Sequence, residues 1–86
     1  MEEAIRILEA KGYTNVREVI KDLTEHGVFS HADASRYVAV NKFVERIATE
    51  DRSASQLIGD LAFEYSVGET TLRRIVAGLP ILAQRA

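Results

Sequence analysis

The residues with the most chemical promise lie between Ile58 and Ala77, in the segment IGDLAFEYSVGETTLRRIVA. At helical spacing Glu69, Thr70, Arg73, Arg74 and Ala77 fall on one arc, opposite an apolar arc of Leu72, Ile75, Val76 and Leu79. The first arc is polar and carries two arginines, whose planar guanidinium forks suit the clamping of phosphate. Other candidate chemistry falls away on inspection. His26 and His31 stand near Glu25 and Asp33, but their spacing spans a helix stop and a helix start. No thiol or third clear ligand accompanies them, so no metal is expected. There is no Gly-rich phosphate loop and no serine in a nucleophile motif. Glu2, Glu3, Glu50 and Asp51 read as helix-end charges. The chain is therefore not expected to be an enzyme or to hold a cofactor.

Those arcs need helices to carry them, and the punctuation predicts five helices and no strands. Glu2–Lys11 opens with acidic residues suited to a helix N-terminus and stops at Gly12. A second helix starts from Thr14 or Asn15 as N-cap and stops at Gly27, with Val16, Val19, Ile20 and Leu23 on one face. Ser30 with Asp33 resembles a capping box and launches a third helix from His31 to about Glu50, with Tyr37, Val40, Phe43, Val44 and Ile47 on its core side. Such a helix reaches about 30 Å, enough to act as a backbone for the fold. Ser53 with Gln56 forms a second capping box and opens helix four. Pro80, the sole proline, follows Gly78 as expected after a terminating helix. No repeats or low-complexity runs interrupt the pattern.

On helix four Leu57, Ile58, Leu61, Ala62 and Tyr65 share a face, and Ala62 stands where a small side chain lets two helices cross closely. Tyr65-Ser66-Val67-Gly68 forms the turn, with Val67 as its apolar plug. The small residue at Ala62, the apolar turn residue Val67 and the apolar pair Leu72 and Ile75 resemble the helix-turn-helix of bacterial and phage transcription regulators. The resemblance covers about 20 of the 86 residues. It implies that the second helix enters the major groove of DNA, its N-terminal end reaching base edges. Carried over by position, Gly68, Glu69, Thr70 and Arg73 become the groove-facing set, with Thr71, Arg74 and Ala77 beside them. Arginine suits this because its fork bonds guanine O6 and N7 together, and Thr70 and Thr71 suit a phosphate or a base edge. The sequence departs from the pattern at Ser66, where the motif carries a left-handed glycine, and at Gly68, which replaces a Ser/Thr cap. Phe63 lies on the solvent side of helix four, where something is expected to cover it.

Length and charge bound the remaining possibilities. Eighty-six residues make one small domain, and 47% hydrophobic with 28% charged residues is ordinary for a globular protein. No cysteine is present, so neither a disulfide framework nor a zinc-thiolate site is available. No apolar run approaches membrane-spanning length and the start is too mixed for a signal peptide, so a cytoplasmic location and no membrane partner are expected. The net charge is −2, awkward for a nucleic-acid partner. Residues 52–86 lean the other way, with Arg52, Arg73, Arg74 and Arg85 against Asp60, Glu64 and Glu69.

The expected architecture is an all-α, five-helix single domain over 1–86: an acidic helical hairpin at 1–29, a long central helix at 30–51 and a helix-turn-helix at 53–79 within a trihelical unit. The expected function is sequence-specific binding of double-stranded DNA as a small bacterial or phage regulator of transcription. A homodimer is favoured, because one helix reads only a few base pairs. Ile7 and Phe63, off their apolar stripes, are candidates for self-association or for packing between helices. The alternative is a helical protein-interaction module, an adaptor or inhibitor, with a partner bound through residues 1–51. A DNA-packaging or recombination accessory protein is a further alternative that uses the same motif.

Overall fold

The computed structural model describes residues 1–80. Among them are five α-helices and no strand: α1 (Glu2–Ala10), α2 (Val16–Glu25), α3 (His31–Thr49), α4 (Ala54–Glu64) and α5 (Glu69–Ala77). The chain divides into two compact units, Met1–Val38 and the segment from Ala39 onward, and the division falls inside α3.

Local chemistry sets the helix ends. Three helices stop in the same way: the third residue past the helix donates its N–H back to a carbonyl five residues earlier, and the residue just before it is left-handed. For α1 that residue is Gly12, at φ +97°, with Tyr13 N–H on the Leu8 carbonyl at 3.3 Å. For α2 it is Gly27, at φ +73°, with Val28 N–H on the Leu23 carbonyl at 3.0 Å. For α4 it is Ser66, at φ +55°, with Val67 N–H on the Ala62 carbonyl at 2.9 Å. The serine thus adopts the conformation the sequence asked of it, although its Cβ makes left-handed backbone costly.

Helix starts follow the sequence less uniformly. Both capping boxes form. The Asp33 N–H donates to Ser30 Oγ while the Ser30 N–H donates to Asp33 Oδ2 at 2.8 Å, and Ser53 and Gln56 bond reciprocally. Asn15 does sit at the N-cap of α2, but it is left-handed at φ +55° and its side chain caps nothing. Its selection therefore reflects tolerance of positive φ rather than a capping bond.

In the first unit α1 and α2 pack together through Ile5, Val16 and Ile20, with Met1, Leu8 and Phe29 against them. Val19 was expected on this buried face but is 52% exposed, and Leu23 is half-buried. The apolar stripe of α2 is wider than the strip that α1 covers. In the second unit Ala39 and Phe43 of α3, Leu57, Ile58, Leu61 and Ala62 of α4, and Leu72 and Val76 of α5 form one core. Val40, Ile47, Ala54, Tyr65, Val67 and Leu79 pack at its edge. The core side of α3 differs from the sequence expectation. Ala34, Val38, Ala39 and Phe43 are each buried, whereas Tyr37 and Val44 are only half-buried. Periodicity favours large apolar groups, but small alanines let helices approach most closely.

Candidate functional site

The α4–α5 pair owes its geometry to apolar residues on both sides of a short turn. Leu57, Leu61 and Leu72 are fully buried, and Ala62 is 8% exposed, as a close helix crossing requires. Val67 packs against this core from the turn. Burial of Leu72 and Val76 fixes the rotation of α5 about its axis, and the opposite side is consequently turned outward. Gly68, Glu69, Thr70, Thr71, Arg73, Arg74 and Ala77, all expected at the surface, are all exposed. Gly68 is the N-cap of α5 in extended backbone and supplies no side-chain bond to the first turn. A Cβ at this glycine would meet Thr71 Oγ1 at 3.5 Å, an ordinary contact, so sterics do not demand glycine there.

Charge on this surface is arranged more tightly than the sequence reading anticipated. Arg73 Nη2 donates to Glu69 Oε1 at 2.9 Å, one helical turn away. The spacing of four with the acid toward the N-terminus was the available signal for this pair. Elsewhere in the unit Arg46 bonds Glu64 at 3.2 Å and lies 3.9 Å from Glu50, and Arg52 bridges Glu50 and Asp60. The hydrogen bond to Glu64 pushes the Arg46 guanidinium above its ordinary pKa. Lys42 lies 3.9 Å from Glu45. Arg74 is then the arginine of this unit with no carboxylate partner among the described residues, at the surface of the last turn of α5.

The remaining candidates fall elsewhere. Phe63 is 91% exposed within this single chain. Ile7 is half-buried on α1. His26 caps the end of α2, its Nδ1 2.7 Å from the Asp22 carbonyl oxygen, while His31 begins α3. No group of three or more His, Cys, Asp or Glu able to hold a metal ion occurs among the described residues. Nor is any described helix long and apolar enough to cross a membrane. On the first unit Leu8, Tyr13, Thr14, Val16, Val19 and Ile20 line an open groove of about 200 Å³; Val16 and Ile20 are core as expected, and the exposure of Val19 is what opens this face.

No protein-family model matches this chain, and no curated protein or solved structure matches it.

Proposed function

We propose that the chain binds double-stranded DNA through α4, the turn and α5, with α5 in the major groove, as a small regulator of transcription of bacterial or phage type. The observation that carries this reading is the division of α5 into two faces. Leu72 and Val76 are buried, and the whole opposite side, including Thr70, Arg73, Arg74 and Ala77, is exposed and polar or small. A nine-residue helix presented in this way has the dimensions to lie in a major groove about 12 Å wide. Arg74 supplies a phosphate contact, and Thr70, Arg73 and Glu69 stand where base edges would be met. Two copies reading neighbouring half-sites would double the length of sequence recognised, which favours a homodimer.

Titration of duplex DNA at several salt concentrations tests the reading. Log affinity is expected to fall linearly with log salt, by roughly one unit of slope per phosphate contacted. The Arg73→Ala, Arg74→Ala double variant is expected to lose most of that binding. Undiminished binding by the double variant would remove α5 as the reading helix.

A second reading, a helical module that binds protein, has one specific observation in its favour. Arg46, Arg52 and Arg73 of the second unit are already engaged by carboxylates, and Lys42 lies close to one. Such pairing leaves little uncompensated positive charge for a phosphate backbone. Absence of duplex binding at low salt would favour this reading, with the groove on α1 and α2 as its surface.

A further inference from the structure

The two arginines of α5 are in different states. Arg74 has no carboxylate partner among the described residues, whereas Arg73 is held by Glu69 from one turn back. Both members of the held pair are about half exposed. An exposed pair of this kind contributes little to helix stability. Its greater consequence is to restrict a side chain that otherwise samples many rotamers.

We infer that Arg73 reads a guanine and that Glu69 is the positioning residue that aims it; this rests on the DNA reading above. A guanidinium has five N–H donors and no acceptor. One of them is directed at Glu69, which leaves four. A donor-only fork needs two acceptors side by side, and in the major groove only guanine presents them, as O6 and N7. Adenine places a donor beside N7, cytosine presents a donor, and thymine pairs one acceptor with a methyl group. Arg73 lies midway along α5, about one turn from Thr70 on the same exposed face. The carboxylate at residue 69 adds a constraint of its own. It repels phosphate, so a loosely placed Arg73 that merely gripped the backbone would work against its neighbour. Arg74, unheld, contributes affinity without regard to sequence, while Arg73 contributes discrimination.

The test uses the full chain and a duplex selected from a random pool, followed by binding to that duplex and to versions with each base-pair replacement at every position. One guanine position is expected to be preferred about tenfold or more over its replacements. Arg73→Ala should erase the preference at that position alone, and Arg74→Ala should weaken all duplexes alike. Glu69→Gln should cut the guanine preference at that position several-fold. In the Arg73→Ala background Glu69→Gln should change nothing further at that position. A preference that survives Glu69→Gln, or a Glu69→Gln effect that persists without Arg73, overturns the assignment of Glu69. Salt-dependent duplex binding with no guanine preference overturns the inference and leaves α5 as a DNA-binding helix. No salt-dependent duplex binding at all overturns both.

Discussion

The two units of this chain stabilise themselves by different means. The first, Met1–Val38, buries Ala4, Ile5, Val16, Ile20, Ala34 and Val38, two of them alanines, and leaves Tyr13, Val19 and Val28 more than half exposed. Polar contacts at its helix ends accompany that core: the Glu2–Arg17 ion pair and the Ser30–Asp33 box with Arg36. The second unit gathers eight buried side chains from three helices, and Phe63 is its single large apolar residue left exposed among those described. The contrast shows what frees a surface for function. A helix held from one side by a deep core has its whole outer face available for polar chemistry. A helix held by a shallow core leaves apolar surface exposed instead.

The sharpest way to break this comparison is to empty each core. Leu61→Ala, in the fully buried centre of the second unit, is expected to cost about 2–5 kcal/mol of stability. Ile20→Ala, at a rim where the open groove lets neighbours collapse, should cost about 2 kcal/mol or less. Urea unfolding midpoints measure both, and equal costs would dissolve the distinction. Amide exchange gives the same contrast residue by residue, with α2 exchanging sooner than α4.

A smaller effect concerns the helix stops. Ser66→Gly relieves a left-handed serine and should raise stability by about 1 kcal/mol, whereas Gly27→Ala imposes the same conformation and should lower it by a similar amount. Thermal melts of the two variants should shift in opposite directions.

Acid sensitivity separates the units further. The Ser30 N–H, then Arg36 and the Ser30 hydroxyl, hold the Asp33 carboxyl below its ordinary range, and the Arg17 hydrogen bond does the same for Glu2. Because both folded-state values are depressed, their stabilisation is full above the ordinary carboxylate range and is lost as pH falls through it toward the folded values. Asp33→Asn should lower stability near neutral pH and flatten the acid limb of the stability curve. An unchanged acid limb would show that the capping box carries no charge-dependent stabilisation. The least effect is expected from Phe63→Ala, within about 0.5 kcal/mol in dilute monomer, since the side chain has no packing within its unit to lose.

Much of this was legible in the residues. Glycines at 12 and 27, Ser30 with Asp33, and Ser53 with Gln56 marked helix ends because such signals act through bonds within a few residues. Leu57, Leu61, Leu72 and Val76 were legible as core because their spacing repeats at the helical period. The candidate face of α5 followed directly, since what lies opposite a buried stripe is exposed. Three things were not legible. The burial of Ala34 and Ala39 does not stand out in a periodicity that weights large apolar groups. The exposure of Val19 depends on how much of α2 a single partner helix covers. The pairing of Arg46 with Glu64 joins side chains eighteen residues apart, unlike the local Glu69–Arg73 pair.

The sequence by itself determined five helices, most of their ends and which face of α5 turns away from the core, because each follows from short-range bonding or from a repeat along one helix. Only the tertiary structure decided which apolar residues are covered, that the chain gathers into two units, and that Arg46 meets Glu64. Those outcomes depend on which surfaces meet across distance in the chain, and local spacing carries no record of that.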